Sequence, residues 1–319
     1  MNKSLILILA LVTFSWQAIA QQRPQYSQYM LNNFLLNPAI AGIEDYADIR
    51  VSHRRQWVGL DGAPSTYYVS AHTPLNKGAG SNAYHRALAH HGLGASFHTD
   101  KTGPLRRSGV TMSYAYHLPV TNSINVSAGA AAGVIRSSVN SADLRLGNES
   151  DPLAGGGNIN NTVLDLNLGL WVYSRNFSVG IAGAQLLEDA GSFGANTFED
   201  ATLGLQRHYF ITGSYRLEPT ENLDIIPSVM VKLASPSPAS FDANVRVMYA
   251  ERFWVGGSYR HKDAVAAMVG VYISPLLDFS YSYDFTTSDL NNVSAGTHEV
   301  VLGFKLLNNN RIVCPQWVW

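Results

Sequence analysis

The chain has 319 residues, a formal net charge of −1 and 14% charged residues, against about 25% in an ordinary soluble domain. The balanced charge supplies no basic surface for nucleic acid. The single cysteine, Cys314, excludes an internal disulfide and leaves either a free thiol or a partner for another chain.

Residues 1–20 read as a secretory signal. Lys3 supplies the positive start, an apolar run follows to Phe14, and Ala18-Ile19-Ala20 is a small-x-small cleavage site, so cleavage is expected after Ala20. No later run of about 18 apolar residues offers a transmembrane helix. An exported chain of this kind enters a membrane, if at all, through strands.

Residues 21–46 are polar and aromatic (Tyr26, Tyr29, Phe34), are broken by Pro24 and Asn37-Pro38, and lack a strand period. They read as a periplasmic arm or a plug. Residues 47–306 then alternate with period two. Leu277, Phe279, Tyr281, Tyr283 and Phe285 oppose Asp278, Ser280, Ser282 and Asp284, and Leu164 to Val172 likewise oppose Asp165, Asn167, Gly169 and Trp171. Strands are expected at 47–55, 65–72, 92–98, 107–118, 124–138, 163–174, 177–186, 208–217, 223–234, 240–249, 253–259, 264–273, 277–285 and 297–306. Residues 307–319 form a tail beyond the last strand.

Alternation alone fits both a soluble sandwich and a membrane barrel. The connections discriminate. Those at 119–123, 175–176, 218–222, 250–252 and 274–276 are short, and the opposite set includes 139–162, 187–207 and 286–296. Short turns at one end and long loops at the other are the asymmetry of outer-membrane barrels. The exception is the long connection 73–91 on the turn side. The expected fold is an all-β transmembrane antiparallel barrel of about fourteen strands, an even number as in single-chain bacterial barrels, with the turns and both termini in the periplasm.

No constellation points to catalysis, a cofactor or a metal. His85, His90 and His91 read as a solvated loop, and His53, His72 and His98 lie in or beside strands without metal-ligand spacing. Asp284 with Asp289, and Asp143 with Glu149, read as ordinary lumen and loop acids rather than an acid–base pair. Gly155-Gly156-Gly157 lacks the strand, helix and lysine of a phosphate cradle, and no Gly-x-Ser-x-Gly elbow is present. Trp57, Tyr67, Tyr249, Trp254 and Tyr283 suit interfacial girdles. Inward positions Ser178, Gly180, Ala182 and Ala184 are small and leave room for a solute or an inserted segment.

Several short stretches occur in a characteristic order: Gln25-Tyr26-Ser27-Gln28-Tyr29-Met30, Asn37-Pro38-Ala39 with Ala41-Gly42, Gln56-Trp57-Val58-Gly59, Asp100-Lys101-Thr102-Gly103-Pro104, Arg207-His208-Tyr209-Phe210, Phe253-Trp254, Tyr283-Asp284-Phe285-Thr286 and His298-Glu299. In these the chain resembles the PorP/SprF family of outer-membrane proteins of the Bacteroidetes type IX secretion and gliding systems. The resemblance implies a non-enzymatic barrel in lipid that binds, helps secrete or anchors a cargo adhesin through its C-terminal signal domain. It also admits a core component that contacts the periplasmic ring and a peptidoglycan-binding lipoprotein; a small-solute porin is the remaining alternative. The segments outside the strand pattern are the natural partner surface, and their candidate residues are Tyr26, Tyr29, Phe34, Cys314, Trp317 and Trp319. Trp317 and Trp319 equally suit membrane-interface anchoring.

Overall fold

The structure is a computed structural model that describes residues 24–76, 89–140, 159–187, 205–234, 237–287, 294–309 and 311–317. The wall strands are β1 (Ala47–Arg55), β2 (Ser65–Leu75), β3 (His90–Thr102), β4 (Leu105–Pro119), β5 (Asn125–Val139), β6 (Ile159–Tyr173), β7 (Phe177–Ala184), β8 (His208–Tyr215), β9 (Leu217–Thr220), β10 (Leu223–Ala234), β11 (Ser237–Tyr249), β12 (Phe253–Arg260), β13 (Ala264–Tyr272), β14 (Leu277–Thr286) and β15 (Thr297–Leu306). β8 and β9 are one strand interrupted at Arg216, since both pair with β10. The wall therefore has fourteen strands, all antiparallel. It closes where β15 pairs with β1, from Ala47 opposite Leu306 to Arg55 opposite His298. Closure leaves no open sheet edge of the kind that lipid cannot satisfy.

Period-two alternation decides what each face meets. On β14, Asp278, Ser280, Ser282 and Asp284 are buried in the lumen while Phe285 lies outside. On β4 the outward Val110, Met112, Tyr114 and Tyr116 are exposed, and Ser113, Ala115 and His117 are buried. The apolar face is thus turned outward to the bilayer.

The core lies inside the barrel, and the N-terminal segment fills it. Three 3-10 turns, Tyr29–Leu31, Asn33–Leu35 and Pro38–Ile40, carry Tyr29, Met30, Leu31, Phe34 and Ile40 into the lumen. Tyr29, Met30, Leu31 and Leu36 pack with Phe210, Ile226, Met230 and Trp254; Phe34, Ile40 and Ile43 pack with Ala115, Trp171 and Tyr173. Wall glycines admit the plug. A Cβ on Gly92 would lie 1.8 Å from the Ala41 carbonyl oxygen, and one on Gly169 would lie 1.9 Å from Asn37 Oδ1.

The plug runs against one sequence expectation. Residues 21–46 and the tail were both expected to emerge at the turn end. Tyr46 leads into β1 at that end, but Pro24 lies far along the lumen, lining a cavity with His98 and Arg107 and another with Lys232 and Arg260. The segment threads the lumen toward the loop end because its polar side chains find their partners there. β2 and β3 also extend further than their periodicity indicated, so the long connection shrinks to 76–89. Within it, residues 77–88, with His85, lie outside the described residues. So do 141–158, 188–204 and 288–293 of the long loops.

Gly92→Val places a branched side chain on the Ala41 carbonyl. Because overpacking costs about 1–3 kcal/mol or more where backbone cannot yield, the barrel should lose its heat-modifiable folded band at a lower temperature than wild type. The outward Leu93→Val on the same strand should not shift that transition.

Candidate functional site: the plugged lumen

At the loop end the plug is tied to the wall by a buried ion cluster. Arg54 of β1 and Glu299 of β15 are cross-strand neighbours, and Arg54 Nη1 lies 3.1 Å from Glu299 Oε2 while Nη2 lies 3.0 Å from Asp284 Oδ2. Ser27 sits in the middle. Its N–H donates to Glu299 at 2.8 Å, its hydroxyl donates to Asp284 at 2.5 Å, and Arg54 Nη1 donates to its Oγ. Gln28 Nε2 adds a bond to the Glu299 carbonyl at 3.2 Å. Arg260 extends the cluster to Asp242 at 3.4 Å and Asp284 at 3.7 Å.

Midway along the lumen Asn37 joins plug to wall. Its Oδ1 accepts from the Ala39 N–H at 3.0 Å, capping the third 3-10 turn, and its Nδ2 donates to the carbonyls of Leu170 and Ile181 on β6 and β7. A second set of ties lies nearer the turn end. His117 Nε2 donates to the Ala41 carbonyl at 2.8 Å, His90 Nε2 to the Gly42 carbonyl at 3.1 Å, and the Gly42 N–H to His72 Nδ1 at 3.3 Å. The His90 and His117 rings stack at 4.5 Å.

The tail closes the turn end. Leu307 reverses the chain with φ +57°, and Asn308 holds the reversal through Ile312 N–H and C=O at 2.9 and 2.8 Å. Lys305 Nζ donates to the Val313 carbonyl. Glu44 then receives the backbone N–H groups of Gln316 and Trp317 at 3.1 and 3.0 Å, and the Trp317 ring meets Tyr173 edge-on at 5.5 Å. Cys314 is buried beside Met248, and burial pushes its thiol up to about 12.

The chain matches one family along almost its whole length: the model of the type IX secretion system membrane protein PorP/SprF covers residues 18–304. The chain belongs to the PorP/SprF family. Among solved structures, the Ralstonia pickettii toluene transporter TbuX is similar with a TM-score of 0.50 at 10% identity, covering 87% of this chain and 92% of that one. A Pseudomonas aeruginosa FadL homologue has a TM-score of 0.50 at 11% identity, with 89% and 95% covered. These likenesses show the outer-membrane barrel fold. No curated protein matches the chain.

The predicted partner residues separate into two groups in this PorP/SprF protein. Tyr26 packs on Tyr68 with ring centroids 5.1 Å apart, Tyr29 OH accepts from Asn244 Nδ2 at 2.5 Å, and the Phe34 ring meets His72 at 4.9 Å, so all three bind the wall. Trp317 remains partly open at the turn end, and Trp319 lies outside the described residues. Two readings of single residues change. His90 does not lie in a solvated loop: it is buried on β3, and its inward parity with Gly92 and Gly94 is the available signal, while His72, expected in or beside a strand, lies buried on β2. Trp254 is no girdle residue, because it shares parity with Ser258 and Arg260 and lies 3% exposed in the lumen beneath Arg246. Tyr67 and Tyr249 do face outward. Sequence reasoning missed Arg54 and Glu44, whose partners are distant in the chain. Among the described residues no three His, Cys, Asp or Glu converge as metal ligands.

Two outcomes follow from this geometry. Arg54→Met leaves Glu299 without its cation and Asp284 with Arg260 alone, which costs about 3–5 kcal/mol for a buried pair broken on one side, and should lower the temperature at which the folded band disappears; Arg55→Met, on the exposed face, should not. Burial both shields the Cys314 thiol and raises its pKa, so little reactive thiolate is present in the folded barrel. A maleimide should label it in the unfolded chain and leave it unlabelled in the folded barrel.

Proposed function

We propose that this barrel is a non-enzymatic outer-membrane component that receives a type IX cargo, an adhesin presented through its C-terminal signal domain, and helps export it or hold it at the surface. The observation that carries the reading is the lumen itself. Where a diffusion porin keeps a polar channel, this barrel holds Ser27 to Ile43 against its wall with charged and apolar contacts. That arrangement weighs against a small-solute porin and leaves the ends of the barrel as the working surfaces.

The turn end is the periplasmic one in this proposal, because short turns and the C-terminal tail lie there. The tail presents Gln316 and Trp317 beside Tyr173, and a partly open Trp over an aromatic neighbour is the kind of side chain that anchors an interface. Tyr26, Tyr29 and Phe34 act at one remove, by holding the plug. A periplasmic ring protein or a peptidoglycan-binding lipoprotein of the machinery is the second reading for the same surface, since both approach from that side.

Trp317→Ala keeps the backbone bonds to Glu44 and removes the ring. The barrel should stay at normal levels in outer membranes, with less partner recovered by pull-down and mass spectrometry and less adhesin displayed. Truncation after Leu307 should reduce recovery further. Full partner recovery by a normally assembled Trp317→Ala barrel would sink the tail's role, and co-purification of ring components without any adhesin would favour the second reading.

A further inference from the structure

We propose that the lumen contains a binding site for a small oxyanion that itself carries a proton donor, such as hydrogen phosphate or a hydroxycarboxylate, centred on Arg246 of β11. The inference does not depend on the secretion reading. Arg50, Arg54, Arg216 and Arg260 are buried and each meets a carboxylate. Arg246 is more deeply buried than any of them, at 1% exposure, yet its Nε, Nη1 and Nη2 find no acceptor among the described residues. The nearby acids are committed elsewhere, Asp242 to Arg260 and Asp224 to Arg216. Trp254 covers one face of the guanidinium at 5.3 Å, which offsets part of its charge but engages none of its N–H groups. A buried cation is costly unless paired and hydrogen-bonded, and the planar guanidinium fork is shaped for a carboxylate or phosphate.

The surroundings form a site rather than a lone charge. Arg246 lines a small cavity between plug and wall, together with Tyr29, Asn33, Trp171, Thr212 and Asn244. Trp171 is 1% exposed and its Nε1–H has no acceptor, so a second buried donor lines the same space. The Oδ1 atoms of Asn33 and Asn244 are buried there without donors. Two orphan donors and two orphan acceptors fit a ligand that is an anion on one side and a hydroxyl on the other. Met30 and Ile226 leave the remaining wall apolar.

The test uses the purified full-length barrel in detergent, titrated calorimetrically with inorganic phosphate, with lactate and, at matched ionic strength, with sodium chloride. Saturable binding of phosphate or lactate, absent with chloride, is expected, and the stronger of the two identifies the ligand class. Arg246→Met should abolish binding while its ligand-free barrel unfolds at the wild-type temperature or above, because the unpaired charge is gone. Trp171→Phe should bind roughly tenfold more weakly, the loss expected for one hydrogen bond to a charged group. If Arg246→Met fails to assemble, Arg246→Lys reads the same prediction, since it keeps the charge and loses the fork. No saturable heat with either anion, or undiminished binding by the Arg246 variants, overturns the site.

Discussion

Charges that face the lumen of a barrel must be answered from within the chain, and the cluster of Arg54, Asp284, Glu299 and Ser27 is where this constraint is met most fully. Buried ion pairs add little net stability, because desolvation offsets their attraction. Their force lies in what misplacement would cost. Sliding β15 against β1 by one residue would carry Glu299 to the lipid face and take from Arg54 one of its two carboxylates. The same cluster takes the backbone N–H and hydroxyl of Ser27, so the register of wall closure and the position of the plug are set together.

The plug in turn explains features of the wall that a hollow barrel would not need. Glycine stands at Gly92, Gly129 and Gly169, where any side chain would strike the plug backbone or Asn37. Polar groups recur wherever the plug exposes a backbone group: Ser127 donates to the Ala39 carbonyl, and His90 and His117 donate to the carbonyls of Gly42 and Ala41. Each of these removes an unsatisfied acceptor from a space that bulk water does not fill. The lumen is therefore a protein core built with polar walls, and Arg246 stands out in it because none of the described residues accepts a hydrogen bond from it.

Closure of the turn end depends on this core as well. Glu44 belongs to the plug, and it binds two tail N–H groups only because the plug holds it at the mouth of the barrel. Cys314 and Val313 of the tail in turn join the apolar cluster around Met248 and Tyr272. Plug and tail thus make one continuous packed unit inside the wall, with Trp317 partly open at its edge.

Strand number, facing and the loop asymmetry were legible in the sequence, because lipid outside and polar groups inside impose period two on every strand and nothing distant is needed to read it. The parity that places Asp284 inward also carries Trp254 and His90, although residue type and position alone suggest interface and loop for them. The family was readable from short motifs, although what those motifs do was not. Gln25 to Met30 lies hundreds of residues before Tyr283 to Thr286 and His298-Glu299, and only closure of β1 on β15 brings these onto one plug–wall seam, while Asn37 to Gly42 meets the wall on the far side, at β2 to β7. The path of residues 24–46 was likewise decided by tertiary structure. A segment without periodicity has no intrinsic direction, and its course through the lumen is set by the buried charges waiting at the far end.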